Sequence, residues 1–214
     1  MGLLDRLAPR KGESDPPVLQ PASDSEPLFS TKAFRKFLSC LTSRESPVLL
    51  DLGPVVGSNV SYFGEQLGCK IFVEDIFADL DRHVRAGTLD RLAEFLQQRF
   101  PQDTGSVDGI LCWDLIDYLD RPAAQRLAEQ LTRVLRPDGA LLGFFATAQN
   151  GDARYTKYVI ADEANLRHRN YPAARCRQAI LLNRDIIRLF PGLRVSDSFL
   201  LQNNLREILF RKPA

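Results

Sequence analysis

Four short runs of the chain are apolar without the in-and-out alternation of a sheet that faces water. They are Val48-Leu-Leu-Asp-Leu52, Lys70-Ile-Phe-Val-Glu74, Val107-Asp-Gly-Ile-Leu-Cys-Trp113 and Ala140-Leu-Leu-Gly-Phe-Phe-Ala146. Strands of this composition need cover on both faces, as in a parallel sheet flanked by helices. Between the runs, apolar residues recur three and four apart, the helical period. Phe34, Phe37, Leu38 and Leu41 make one helix face, with Thr31 placed to cap it. Leu89, Leu92, Phe95 and Leu96 make another inside a mainly helical stretch over 78–99. No clear strand is visible between 76 and 106. Ser58 is placed to cap a helix ending near Leu67, with Gly68 as terminator. Pro122 suits the first turn of a helix from Arg121 to Leu135. A turn at Arg136-Pro-Asp-Gly139 leads into the fourth apolar run, and residues 148–182 look less regular. A last helix from Arg184 to Phe190 precedes two strands, Leu193 to Leu200 and Arg206 to Phe210, joined as a hairpin through Gln202-Asn203-Asn204. The expected fold is a three-layer α/β/α sandwich. Its mostly parallel central sheet ends in an antiparallel hairpin, all in one domain over 28–214.

Composition narrows the function classes. The 28 basic and 27 acidic residues leave a net charge of +1, so no global attraction to nucleic acid or to an anionic membrane is implied. An apolar content of 44% across 214 residues suffices for a core, which excludes a wholly disordered chain. No apolar run reaches the length of a membrane span. Residues 1–27 read as a tail. Leu3, Leu4 and Leu7 allow one amphipathic turn before Pro16, Pro17, Pro21 and Pro27 break any period. That tail is either disordered or a small docking helix on a flexible tether, for a protein partner or a membrane surface. Its start is too short and interrupted for a signal peptide, and Arg6 stands where a myristoylation signal wants Ser or Thr. Cys40, Cys69, Cys112 and Cys176 lack zinc-knuckle spacing and read as reduced thiols of a cytoplasmic protein. No metal site is expected.

In an open parallel sheet, ligands sit beyond the carboxyl ends of the strands. The residues standing there are Asp51, Gly53, Gly57 and Ser58, then Glu74 and Asp75, then Trp113 and Asp114, then Thr147, Gln149 and Asn150. Glycines let backbone approach a ligand closely, and a helix start offers free N–H groups. An acid at the end of the second strand suits a pair of ribose hydroxyls, the layout of a nucleoside-type cofactor site. There is no Gly-x-Ser-x-Gly elbow, P-loop or zinc-protease helix.

These segments resemble class I S-adenosylmethionine-dependent methyltransferases. Val48 to Gly57 resembles the family's Asp-x-Gly-x-Gly-x-Gly motif, matching at Asp51, Gly53 and Gly57, with Val55 at the middle glycine. Val107 to Leu119 resembles the fourth strand and following helix, and Leu131 to Leu142 the turn into the fifth strand. The resemblance spans about residues 30–214 and implies a Rossmann-like methyltransferase fold with S-adenosylmethionine as cofactor. It implies that Asp51, Gly53 and Gly57 line the methionine end, and that Asp75, or Glu74 if the register slips by one, binds the ribose. Trp113 and Asp114 would border the cleft. The family's usual third strand, with its acid near the adenine, is missing. Candidates for a base are Asp114, Tyr118 and His168. The segment Arg154-Tyr155-Thr-Lys157-Tyr158, with Arg167, His168, Arg169, Tyr171, Arg175 and Arg177, would embrace an anionic or aromatic small-molecule acceptor. Two functions follow: methyl transfer to such an acceptor, or a non-catalytic methyltransferase-like binding or scaffold module.

Overall fold

A computed structural model describes residues 27–149, 151–178 and 180–214. The expected tail, Pro27 apart, and Asn150 lie outside the described residues. In chain order the strands and α-helices are β1 (Leu28–Ser30), α1 (Phe34–Thr42), β2 (Val48–Asp51), α2 (Gly57–Ser61), β3 (Lys70–Val73), α3 (Ile76–Ala86), α4 (Leu92–Gln98) and β4 (Val107–Trp113). There follow α5 (Arg121–Val134), β5 (Leu135–Ala146), β6 (Arg154–Ile160), β7 (Asn165–Pro172), α6 (Asn183–Leu189), β8 (Arg194–Leu200) and β9 (Leu205–Arg211).

Six strands form one sheet in the order β3-β2-β4-β5-β9-β8. β3, β2, β4 and β5 are parallel, β9 runs antiparallel to β5, and β8 runs antiparallel to β9. The absence of alternation is explained by two cores, one on each face. Leu49, Leu111, Leu142 and Leu209 pack on α1. Their neighbours Leu50, Ile110, Leu141 and Ile208 pack under α3, α4, α5 and α6. All seven residues of β4 are buried. The three layers, the parallel run and the terminal hairpin are therefore as expected, and so is the strand-free run between β3 and β4 among the described residues.

Local structure departs from expectation at several points. The 78–99 helix is two helices, because Gly87 takes a left-handed conformation that closes α3. Ser58 does not cap α2. Val56 precedes the helix without a side-chain bond, and a π-helical turn over Tyr62–Gln66 extends it. Thr31 does serve the start of α1, its hydroxyl accepting from Phe34 N at 3.2 Å. The turn at 136–139 lies inside β5, where Asp138 has φ 60°. Residues 154–172 are a regular hairpin, β6 and β7, and β1 adds to it as a third strand. This small antiparallel sheet was hidden because its strands are rich in Arg, Lys and Asn. All four cysteines are free.

Candidate active site

The carboxyl ends of β2 and β4 bring Asp51, Gly53 and Trp113 together. Asp51 Oδ1 accepts from Gly53 N at 2.9 Å and from Trp113 Nε1 at 2.6 Å. Burial pushes the Asp51 carboxyl up to about 6; the two N–H donors oppose the shift, and nearby Asp75 adds to it. The Cδ1–Nε1 edge of the Trp113 indole lies against Gly53. A Cβ built there would come within 2.8 Å of Trp113 Cδ1, so only glycine fits. Trp113 itself has φ 50°, a left-handed conformation rare for a bulky side chain.

Above the indole sits the small sheet. Tyr158 of β6 stacks on Trp113 with ring centres 5.0 Å apart and planes 6° apart, and Phe144 packs beside both. His168 of β7 meets the edge of this group at Tyr158 and stacks on Phe29 of β1 at 4.1 Å. Asn59, in the helix that leaves the glycine turn, ties β6 down. Its Nδ2 donates to Tyr158 O at 2.8 Å, and its Oδ1 accepts from Ile160 N at 2.9 Å. The amide thus pairs with the free edge of β6 as a neighbouring strand would.

A second group of acids stands at the end of β4. Asp114 is fully buried and accepts from Arg177 Nη2 at 2.7 Å. Asp117 accepts from Ala146 N at 2.7 Å and lies 3.7 Å from Arg177 Nε. Burial, then the Asp114 charge, push Asp117 up to about 7, against the Ala146 N–H and Arg177. Burial raises Asp114 too, with Arg177 opposing. At the end of β3 the two acids diverge. Glu74 turns to Arg99 Nη1 at 2.5 Å and Gln102 Nε2 at 3.1 Å. Asp75 caps α3 through Ala78 N, and it is the acid whose charge reaches Asp51. Gly57 has open space where a Cβ would stand, and Val55 is exposed.

The candidate bases fare unevenly. Tyr118 donates to Arg154 O at 2.6 Å, and burial raises its hydroxyl far from the range of a base. His168 is no exposed loop residue: it is packed in β7, and burial lowers it to about 4. Asp114 is held by Arg177. The expected aromatic embrace of an acceptor is also corrected, since Tyr155 and Tyr158 are buried against Phe77, Tyr118 and Trp113. Asn59 and Asp117 escaped the sequence reading. An acid three residues after Asp114 was a visible signal for Asp117, whereas nothing in the sequence marks Asn59. Among the described residues, no group of three His, Cys, Asp or Glu is arranged to hold a metal. No described helix is long and apolar enough to cross a membrane.

A methyltransferase-domain family profile matches residues 27–178, well over half of the chain. The chain belongs to this family. S-adenosylmethionine is the cofactor of the methyltransferase class concerned. The cyclase SpnF has a similar structure, with 13% identity over 84% of this chain and 80% of that one, and a TM-score of 0.50. That likeness is one of fold. Also similar is the Burkholderia thailandensis 1,6-didemethyltoxoflavin-N1-methyltransferase, solved with 1,6-didemethyltoxoflavin and S-adenosylhomocysteine. It shares 17% identity over 85% of this chain and 79% of its own, with a TM-score of 0.46. The PH0226 protein of Pyrococcus horikoshii shares 14% identity over 85% and 92%, with a TM-score of 0.49. No curated protein matches the chain.

As arranged, the residues do not fit the cofactor. The indole edge fills the space beside Gly53, Asp51 Oδ1 already accepts two bonds, and Glu74 is paired with Arg99 and Gln102.

Proposed function

We propose that this chain transfers a methyl group from S-adenosylmethionine to a small-molecule acceptor of anionic or aromatic character, in the cytoplasm. The observation that carries the reading is the Asp51–Gly53–Gly57 turn between β2 and α2, at the carboxyl edge of the parallel strands and beside Asp75. In this reading the turn lines the methionine end and Asp75, which faces Asp51, takes the ribose in preference to Glu74. Trp113 and Asp114 border the cleft. Methyl transfer to a positioned nucleophile needs little acid–base equipment, because the sulfonium is a strong electrophile when bound. The lack of an evident base is therefore compatible with it. A cavity of about 440 Å³ opens beside the Asp117 turn, lined by Ile116, Leu119, Leu181 and Leu189 together with the basic Arg121 and Arg188 and the acidic Asp120 and Asp185. A small acceptor with an apolar body suits that lining. A protein partner would engage the segment 1–27, which leads into β1.

The second reading, a non-catalytic methyltransferase-like module, is favoured by one observation, the indole against Gly53. Calorimetric titration with S-adenosylmethionine and S-adenosylhomocysteine separates the two, followed by transfer of a labelled methyl group to anionic and aromatic acceptors. Micromolar binding with label transfer supports the enzyme. Binding without transfer to any acceptor supports the module, and no binding at millimolar ligand removes the cofactor reading.

A further inference from the structure

The acid, the glycine and the strand end that a nucleoside cofactor would use are engaged by parts of the chain itself. We propose that Trp113 is a built-in occupant of the cradle, held there by the β1-β7-β6 sheet acting as a lid, and that S-adenosylmethionine reaches Gly53 only once the indole has left. This rests on the cofactor reading above.

Four observations converge on it. The indole sets its Cδ1–Nε1 edge against the bare backbone of Gly53 and gives an N–H donor to Asp51, so it fills the turn as a ligand would. Its left-handed φ of 50° is costly for a tryptophan and persists only where the surroundings impose it. Those surroundings are Phe144, Tyr158 and, behind Tyr158, His168 and Phe29, so the aromatic contact runs unbroken from β1 to the cradle. Last, the lid is fastened to the element that the cofactor would touch. Asn59 leaves the glycine turn in α2 and holds both sides of Tyr158–Ile160, while Arg177 holds the acid next to Trp113. The buried Asn59 can keep both bonds only while β6 stays down.

A ligand that binds only the open form has its affinity reduced by the fraction of molecules that are open. Removing the occupant or loosening the lid therefore tightens binding, the reverse of what deleting a contact residue does. The chain has a single tryptophan, so its emission reports on the cradle alone. The test is calorimetric titration with S-adenosylhomocysteine on wild type, Trp113→Gly and Asn59→Ala. Acrylamide quenching of Trp113 is followed in wild type and Asn59→Ala, and circular dichroism checks the fold of each. The expected result is binding about tenfold or more tighter in Trp113→Gly than in wild type. Asn59→Ala gains affinity and is more readily quenched before ligand is added. In wild type, ligand moves the emission to the red as the indole enters water. Equal affinity in wild type and Trp113→Gly, with emission unmoved, overturns the occupant and leaves the cofactor reading standing. No binding at millimolar ligand by wild type or by either folded variant overturns both. If Trp113→Gly fails to fold, Asn59→Ala decides: more quenching without a gain in affinity overturns the proposal.

Discussion

The six-stranded sheet and the three-stranded sheet of this molecule are held together differently. The large sheet is made of residues with nowhere else to go. Leu49, Leu50, Ile110, Leu111, Leu141 and Leu142 are fully or almost fully buried, and each face has its own core. The small sheet carries Arg, Lys and Asn on its outer face, buries most of β6 against the two cores, and is fixed by specific polar and aromatic anchors. These are Tyr155 and Tyr158 from one strand, the Asn59 amide, and Asp81, which accepts from the Tyr155 hydroxyl at 2.6 Å and Ala174 N at 3.0 Å. The first sheet makes the platform, and the second is a unit whose opening ahead of global unfolding would expose the Asp51–Gly53 turn.

Mutations can break that contrast, and the largest effect belongs to the platform. Leu50→Ala leaves a cavity under α3 and should lower unfolding stability by about 2–5 kcal/mol, read as a shift in the urea midpoint of a single transition. Two resolved transitions, with only one displaced, would show that the sheets unfold independently.

The next effect belongs to the junction. Asp51 has its carboxyl raised to about 6, so the folded state holds that proton more tightly than the unfolded chain. Its contribution is most favourable at low pH, falls as pH rises from about 4 to 6, and is level beyond. Asp51→Asn keeps an acceptor for Gly53 N and Trp113 Nε1 and removes the titration. The stability gain of the variant over wild type should grow across that window to on the order of 2–3 kcal/mol. Thermal denaturation at stepped pH measures it, and a gain independent of pH would contradict the shifted acid.

Asn59→Ala tests the lid. It leaves Tyr158 O and Ile160 N without their partner and should cost about 1–3 kcal/mol, felt first by β6. Amide exchange across 154–172 should quicken while β4 stays protected; equal quickening in both would mean the sheets are one cooperative unit. The smallest effect is expected where neither sheet is touched. Arg126 and Glu129 are paired at 2.8 Å on the exposed face of α5, and Arg126→Ala should change stability by less than about 0.5 kcal/mol.

The same contrast governs what the sequence disclosed. Uninterrupted apolar runs fixed the platform, and the terminal hairpin and the strand-free stretch before β4 followed from them. Gly53 and Asp51 were visible as a strand-to-helix turn because glycine and an acid at a strand end have few other uses. The lid was not visible. Its strands are polar on much of their surface, and their burial depends on Tyr155 and Tyr158 reaching across to residues far away in the chain. Trp113 could be placed at the cleft, but its direction could not. The φ that turns it onto Gly53 is a tertiary consequence that no local preference for tryptophan predicts. Asp75 stood ahead of Glu74 by register alone, and Arg99 and Gln102 claim Glu74 in the structure.

The large sheet stops at β3, and that has its own consequence. With no strand beyond it among the described residues, β3 offers a row of peptide groups along which another chain could add itself. The strand is only four residues long, and its exposed end carries Lys70, whose ammonium lies 5.0 Å from the centre of the Phe72 ring. A short edge strand that carries a charged lysine is a poor template for such an addition. The shortened sheet is thereby guarded against growing into an oligomer or a fibre through its bare margin, and Lys70 is where that guard would be lifted.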